Sequence, residues 1–339
     1  MQLLCPHTPL DLLGSGIYLP GPAISNREVL AIIRPDSTGD RLDHGAQSIF
    51  DMHGLRHRHW VAPPGQPADQ TSAELAVRAG QSALLDAGLR AEEVAGLWVA
   101  TSTPPSWTSA TAAAVGAKLG IDGPCQDVRA GCSAGLFAMI NASLAIGAGA
   151  GPQLIIGSET FSRVVPPSHA PSFISMADGA GAVVISAGSG ELIATAQHTE
   201  SRLNQLVGTR GPMPPTHQAI DADLYRLSGD PGALAEHMPR HYLRVLNAAL
   251  QTAGLHANAM DALVVHQTHG PMVDGICDGL DLPRSKAVYT VQEHGNVGSA
   301  GWLVALHLAR SRGRVRRDDH VLIGAVGGGI SSAAAVWRI

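Results

Sequence analysis

Cys132 is the residue in this sequence that is best placed to act as a nucleophile. It lies among small residues in the segment 129–135 and directly precedes an apolar run that predicts a buried helix. The N-terminus of a helix exposes backbone N–H groups and a positive dipole end, so we expect this thiol to ionise readily beside an oxyanion donor. A buried structural cysteine is the alternative. The other cysteines, Cys5, Cys125 and Cys277, lack this context.

Two polar residues in the second part of the chain could assist such a nucleophile. His266 follows the β-branched run 263–265 and enters a loop, and Asn296 lies in a glycine-rich loop ahead of a second apolar helix. Catalytic groups commonly collect at strand ends, and a cysteine with a distant histidine and asparagine can form a nucleophilic site. Taken singly, His266 could be a hydrogen-bonded structural histidine and Asn296 could cap a helix.

An internal duplication predicts how these residues meet. Ala-Gly-Leu at 87–89 recurs at 253–255, and Ser-Ala-Gly at 133–135 recurs at 299–301, both at an offset of 166 residues. Each copy contains a helix, a strand, a loop, a second helix and another strand, which is a layered α/β unit. We predict an N-terminal half, 1–186, and a C-terminal half, 187–339, related by a pseudo-twofold axis that brings the loops of Cys132 and Asn296 together.

The helices that follow the two Ser-Ala-Gly triplets are apolar on nearly every face. Helices of this kind belong between two sheets, so we predict an α/β fold of five layers, αβαβα. An ordinary doubly wound sheet is the alternative, but its outer helices would carry a polar face. The segment 200–231 is rich in glycine, proline, asparagine and aspartate, and we predict that it is a long irregular insertion covering a binding site.

Composition excludes several classes of function. A net charge of −5 with 15% charged residues provides no basic surface for nucleic acid. The cysteines are widely spaced, without a C-x-x-C pair or a zinc spacing, which favours a reducing compartment. We therefore expect a cytoplasmic protein with neither a secretion signal nor a membrane segment. His53, His57 and His59 do not have a standard metal-ligand spacing, so no metal site is predicted.

Several motifs, taken in their order along the chain, resemble the active-site motifs of ketoacyl-ACP synthase III, a condensing enzyme of the thiolase superfamily. The resemblance covers essentially the whole chain. It rests on A-G-C-S-A-G around Cys132, D-G-A-G at 178–181, V-V-H-Q-T around His266, H-G-N-V-G-S-A around Asn296 and G-G-G-I at 327–330. It implies the thiolase fold, a homodimer, acyl-thioester substrates, an acyl carrier protein as partner and no permanently bound cofactor.

The resemblance also implies a role for each site residue. Cys132 would take an acyl group from a CoA or carrier-protein thioester, with the backbone N–H groups of Cys132 and Gly329 forming the oxyanion hole. His266 and Asn296 would donate hydrogen bonds to the thioester carbonyl of a malonyl donor and stabilise the enolate formed by decarboxylation. The product would be a β-ketoacyl thioester.

The chain departs from this family at positions that the family uses to contact coenzyme A. His269 and Pro271 replace an asparagine and an arginine, and Ser48 and Met52 stand where a tryptophan and an arginine are expected. These replacements favour a donor carried by a carrier protein, and a specialised-metabolite or polyketide pathway in place of bulk fatty acid biosynthesis.

Two other functions stay open at this point. One is an acyltransferase of the same fold that passes the acyl group from Cys132 to an alcohol or amine, and the other is a non-catalytic partner subunit. Relatives that form the enolate with a glutamate base are disfavoured, because the loop 101–109 contains no carboxylate. These relatives are the head-to-head condensers and the hydroxymethylglutaryl synthases.

Overall fold

The structure is a computed structural model that describes residues 1–63 and 66–339. Its strands are β1 (Gln2–Leu4), β2 (Thr8–Tyr18), β3 (Ile24–Ser25), β4 (His57–Arg58), β5 (Gly96–Ala100), β6 (Cys125–Val128), β7 (Gln153–Thr160), β8 (Asp178–Thr199), β9 (Val207–Gly208), β10 (Ser228–Gly229), β11 (Ala262–Val265), β12 (His320–Gly327) and β13 (Ser331–Arg338). Its α-helices are α1 (Asn26–Ile33), α2 (Asp40–His53), α3 (Ser72–Ala87), α4 (Thr111–Leu119), α5 (Ala134–Gly147), α6 (Ala170–Ser175), α7 (His217–Asp221), α8 (Pro231–Ala253), α9 (Gly270–Leu280), α10 (Val291–His294) and α11 (Gly301–Ser311).

The long strand β8 belongs to both halves of the molecule. Its residues 178–185 pair antiparallel with β7, while residues 191–199 pair antiparallel with β13. The first half of the sheet therefore runs β6-β5-β7-β8-β2 and the second runs β11-β12-β13-β8-β1. The β5–β7 and β11–β12 pairs are both parallel, as the duplication requires. The predicted boundary between positions 186 and 187 falls inside β8, so the two halves share this strand.

Two helices, α5 and α11, lie in the centre of the molecule. Leu136 of α5 and Trp302 of α11 are fully buried in one apolar core, together with Ile155 from the first half of the sheet and Ile323 from the second. Helices α3 and α4 pack on the outer face of the first half, and α8 and α9 pack on the outer face of the second. The order of layers is αβαβα, which confirms the prediction made from the apolar helices.

Small residues allow these layers to approach one another closely. A Cβ atom added to Gly157 of β7 would lie 2.5 Å from the carbonyl oxygen of Ser299, and one added to Gly135 of α5 would lie 2.5 Å from the same oxygen. Ser299 is in the 3₁₀ turn Gly298–Ala300 that leads into α11. The start of α11 is therefore pressed against both α5 and the first half of the sheet.

The segment 200–231 contains more regular structure than its composition predicted. It includes the antiparallel pair β9–β10 and the helix α7, whose N-cap is the Thr216 side chain. The segment packs beside the glycine loop 327–330, because a Cβ atom added to Gly328 would lie 3.0 Å from the Cβ of Val207. Among the helices of the described residues, none is both long enough and apolar enough to cross a bilayer.

The close contact at Gly157 predicts that a larger residue at this position destabilises the protein. We expect Gly157→Ala to lower the free energy of unfolding by about 1–3 kcal/mol, because the new methyl group must displace the backbone at Ser299. Gly275→Ala is the matched control, since Gly275 lies within α9 and a Cβ atom there meets nothing within 4 Å. The control should be unchanged or more stable by up to about 1 kcal/mol. Urea unfolding of both variants measures this difference, and equal midpoints would contradict it.

Candidate active site

Cys132 lies in the short turn between β6 and the first residue of α5, as predicted. Helix α5 begins at Ala134, and the hydroxyl of Ser133 donates a 2.7 Å hydrogen bond to the carbonyl oxygen of Ala130, which closes the turn. The turn packs directly on the end of β12, because a Cβ atom added to Gly327 would lie only 2.3 Å from the backbone nitrogen of Cys132. The first half therefore presents its cysteine against the glycine loop of the second.

The environment of Cys132 opposes ionisation of its thiol. Burial, and after it the negative charge of Glu159, raises the pKa of Cys132 to about 12, against a smaller lowering by the backbone N–H of Cys132. The expectation of a readily ionised thiol is therefore wrong, because desolvation outweighs the N-terminus of the helix. The cysteine is a neutral thiol at neutral pH and must lose its proton as it attacks.

His266 is a buried histidine whose ring has no hydrogen-bond partner among the described residues. Its backbone is fixed: the N–H donates to the carbonyl oxygen of Gly324 at 2.9 Å, and its carbonyl oxygen accepts a 2.6 Å hydrogen bond from the hydroxyl of Tyr242. A Cβ atom added to Gly301 would lie 2.4 Å from Nδ1, so the ring abuts the start of α11. Burial lowers the pKa of His266 to about 4, which leaves a neutral imidazole with one N–H donor and one acceptor.

Tyr242 connects the surroundings of Cys132 and His266. Its hydroxyl holds the carbonyl of His266, and its pKa is raised first by burial and also by the charge that Cys132 carries when ionised. The Tyr242 hydroxyl therefore lies close enough to the cysteine to sense its charge. Nothing in the local sequence of α8 distinguishes this tyrosine from an ordinary core residue.

Asn296 is held in a short loop between α10 and the 3₁₀ turn. Its N–H donates to the carbonyl oxygen of Ser175 at 2.7 Å, and its carbonyl oxygen accepts from the N–H of Ala177 at 2.9 Å. The side-chain Oδ1 accepts from the N–H of Gly298 at 3.0 Å, a bond within the loop. The same bond turns the amide nitrogen away from the turn. Asn296 does not cap a helix, because the N-cap residues of the 3₁₀ turn and of α11 are Val297 and Ala300. Asn296 is 3% exposed and lines a cavity.

That cavity has a volume of about 380 Å³ and a largely apolar wall. Helices α6, α8 and α9 supply most of the lining, and the segment 200–231 contributes Gly229. That this insertion covers a binding site stays a prediction. The cavity wall includes the apolar side chains Met176, Leu234, Met238, Leu243, Met272 and Ile276 and the polar side chains His169, Thr268, His269 and Asn296. A largely apolar cavity suits an apolar chain better than a polar ligand.

Glu159 is a buried carboxylate that sequence reasoning missed. It lies near the end of β7 and accepts hydrogen bonds from the N–H of Ser102 at 3.0 Å, the hydroxyl of Thr103 at 2.9 Å and the hydroxyl of Ser299 at 2.8 Å. Burial raises the pKa of Glu159 to about 7, although these donors lower it. The only signal in the sequence was an acidic residue at the end of the apolar run Leu-Ile-Ile-Gly-Ser-Glu.

The structure thus gathers the predicted residues around the first turns of α5 and α11. The Cys132 turn contacts the glycine loop, the His266 ring contacts the start of α11, and Asn296 is three residues before Ser299, which bonds to Glu159. Gly329 is in the same glycine loop, with a φ of 122°, and its role as an oxyanion donor stays a prediction. His53, His57 and His59 instead lie on α2, on β4 and just after it, and His57 pairs with Glu293 at 2.8 Å.

Comparison with known proteins now identifies the family. Residues 126–201 match the family model of 3-oxoacyl-[acyl-carrier-protein] synthase III, and residues 250–339 match the model of its C-terminal part. The β-ketoacyl-[acyl-carrier-protein] synthase III of Sphingopyxis alaskensis is 34% identical, with 97% of this chain and 98% of that protein covered. The chain belongs to this family.

Further ketoacyl synthase III proteins agree with this assignment. The synthase of Rhodospirillum centenum is 35% identical, with 96% of this chain and 98% of that protein covered. The crystal structure of the Aquifex aeolicus synthase superposes with a TM-score of 0.86 at 26% identity, covering 97% of this chain and all of the other. The resemblance found in the sequence motifs and the thiolase fold that it implied are therefore confirmed.

The negative charge of Glu159 predicts how the reactivity of Cys132 depends on pH. We expect Glu159→Gln to lower the pKa of Cys132, since it removes a negative charge that disfavours the thiolate. At pH 8 the iodoacetamide alkylation rate of the Cys132 peptide, followed by mass spectrometry, should rise by about 3- to 10-fold. Because the pKa of Glu159 is about 7, wild type and variant should converge as the pH falls below 7.

Glu293→Gln, a change at an exposed carboxylate, is the control and should alkylate at the wild-type rate. Thermal unfolding shows whether Glu159→Gln remains folded despite the lost hydrogen bonds. A folded Glu159→Gln protein with an unchanged alkylation profile would show that this carboxylate does not act on the thiol.

Proposed function

We propose that this protein is an acyl-thioester condensing enzyme. Cys132 takes up an acyl group as a thioester, and a malonyl thioester is then decarboxylated and condensed with it to give a β-ketoacyl product. The observation that carries this proposal is the neutral, fully buried His266, whose two ring nitrogens have no partner within the described chain. An unpartnered buried imidazole is costly, and a substrate carbonyl would supply the missing bond.

Acyl loading begins with the neutral thiol of Cys132. As the sulfur attacks the thioester carbonyl of the donor, the S–H proton passes to the acceptor nitrogen of His266, and a C–S bond forms. The negative oxygen of the tetrahedral intermediate accepts from the backbone N–H groups of Cys132 and, as we propose, Gly329. The intermediate collapses with cleavage of the original C–S bond, and the departing thiolate takes the proton from the imidazolium.

Condensation then uses His266 as a hydrogen-bond donor. The malonyl carboxylate leaves as CO₂, and its bonding electrons form an enolate whose oxygen accepts from a ring N–H of His266 and from the amide nitrogen of Asn296. The enolate carbon attacks the acyl carbonyl, and a C–C bond forms. The C–S bond to Cys132 breaks, and the departing thiolate takes up a proton from solvent. A neutral imidazole suits this step, because its pKa of about 4 keeps it from adding a buried positive charge.

Glu159 does not replace decarboxylation as the source of the enolate. The loop 101–109 itself has no carboxylate, but the structure places Glu159 beneath it through the bonds to Ser102 and Thr103. Both oxygens of Glu159 already accept hydrogen bonds from the protein, and the side chain is fully buried. A general base needs a free oxygen facing the proton that it removes, so this arrangement supports a positioning role.

The donor is proposed to arrive on an acyl carrier protein. His269 is used as the N-cap of α9, where its Nδ1 accepts from the N–H of Met272 at 3.2 Å, and Pro271 offers no charge. Met52 of α2 is 58% exposed and equally uncharged. The apolar cavity can hold a pantetheine or acyl chain, while a nucleotide phosphate would find no cation at these positions. A specialised-metabolite or polyketide pathway remains our proposal for the role of the enzyme.

We further propose a cytoplasmic homodimer. β6 is the last strand of its sheet and, among the described residues, pairs only with β5, so its other edge is open to a second copy. Trp107, in the loop that follows β5, is 65% exposed, which is unusual for a tryptophan and suits a covered contact. All four cysteines are free thiols, in keeping with a reducing compartment.

The variant Asn296→Ala should distinguish the condensation step from the acyl-loading step. We expect condensation with malonyl-carrier protein to slow by about 10²–10³-fold, because one donor to the enolate is lost, while acyl loading stays within a few-fold of wild type. Loading is measured by intact-mass spectrometry after incubation with acyl thioesters, and condensation by formation of the β-ketoacyl product. Asn258→Ala, at an exposed position, is the control and should leave both steps unchanged.

Each alternative outcome of these assays has a distinct meaning. A folded Asn296→Ala protein that condenses at the wild-type rate removes Asn296 from the site. Wild-type protein that never shows an adduct on Cys132 overturns the condensing function and indicates a non-catalytic subunit. An adduct that passes to hydroxy or amino acceptors but not to malonyl-carrier protein indicates the acyltransferase.

A further inference from the structure

A cluster of three potential metal ligands lies outside the site described above. His198 is near the end of β8, Glu200 directly follows the strand, and His241 comes from α8, which packs against β8. One ligand atom from each residue lies within 4.8 Å of the other two. His241 is 1% exposed, and its imidazole is stacked against that of His198 with an interplanar angle of 13°.

His241 and Glu200 lie close together without forming a hydrogen bond. His241 Nε2 lies 3.2 Å from Glu200 Oε2, yet neither ring nitrogen of His241 makes a hydrogen bond to any described residue. Two ligands of a tetrahedral zinc ion, each about 2.0–2.1 Å from the metal, are about 3.3 Å apart. The pair therefore has the spacing of two ligands without the orientation of a hydrogen bond.

We propose that His198, Glu200 and His241 bind one divalent transition-metal ion, for which Zn²⁺ is the suitable probe, with water completing the coordination. Two imidazoles and one carboxylate form a ligand set that suits zinc.

Three arginines around the cluster limit its affinity. Arg202 pairs with Glu200, Arg240 lies 3.9 Å from the same carboxylate, and Arg244 donates to His198 Nε2 at 3.0 Å. Arg202 is 82% exposed and Arg240 is 62% exposed at the side chain, so both can swing into solvent. Arg244 competes directly with the metal for the lone pair of His198. The site is therefore expected to bind more weakly than a closed structural zinc site.

The cluster lies directly behind the glycine loop. The N–H of Glu200 donates to the carbonyl oxygen of Ile330 at 2.9 Å, and Ile330 follows Gly327–Gly329. Tyr242, the neighbour of His241, holds the backbone of His266. A metal that joins α8 to the end of β8 would thus stabilise the frame on which both the glycine loop and His266 rest. This metal site does not depend on the chemistry proposed for Cys132.

Titration of the chelator-treated full-length protein with Zn²⁺ tests the proposal. Calorimetry should show one ion per chain, and Co²⁺ should give the visible absorption of a tetrahedral or five-coordinate centre. Zn²⁺ should also raise the temperature of unfolding. Glu200→Gln and His241→Gln should each weaken Zn²⁺ binding by more than about 10-fold, since each removes one ligand. His44→Gln, at an exposed histidine, should bind like wild type.

Arg244→Gln provides a test in the opposite direction. It frees the His198 nitrogen and removes a positive charge, so we expect it to bind Zn²⁺ several-fold more tightly than wild type. This gain remains informative if His241→Gln fails to fold. The proposal is overturned if the wild-type protein takes up no Zn²⁺, if Glu200→Gln binds it as well as wild type, or if Arg244→Gln brings no gain.

Discussion

The buried carboxylate of Glu159 joins the two halves of the molecule where the candidate site is built. It accepts hydrogen bonds from Ser102 and Thr103 of the first half and from Ser299 of the second. The loop after β5 and the turn before α11 therefore share one acceptor. Burying a carboxylate is costly, which is why its pKa rises to about 7. The three donors offset part of that cost, and the position of the Asn296 loop depends on the bonds they make.

The same burial governs the state of the reactive groups. The raised pKa of Cys132 and the lowered pKa of His266 both favour the uncharged form, so the resting site holds a thiol and a neutral imidazole without an ion pair. An ion pair in this apolar setting would require desolvation of two charges. Charge therefore develops only with substrate present, when oxyanion donors can receive it. The resting site is therefore uncharged, and the Cys132 thiol loses its proton only as the transition state forms.

The fold could be predicted from the sequence because its signals are local and repeated. The all-round apolar helices place α5 and α11 between sheets, and the duplication pairs the loops of Cys132 and Asn296. The acidity of Cys132 could not be predicted in this way, because the depth of burial depends on the glycine loop, which is distant in sequence. Glu159 and Tyr242 were missed for a related reason, since their importance comes from partners in the other half or on another layer.

Helix α8 is an example of contacts between residues that are distant in sequence. It is an outer-layer helix whose apolar side chains pack in the core of the second half. In three dimensions its consecutive residues His241 and Tyr242 reach different targets, the carboxylate of Glu200 and the carbonyl of His266. Neighbours on a helix point about 100° apart, so one turn can contact the end of β8 and the end of β11 together. The frame behind the candidate site is therefore set in part by a helix that lies outside the central layer, through the bond from Tyr242 to the backbone of His266.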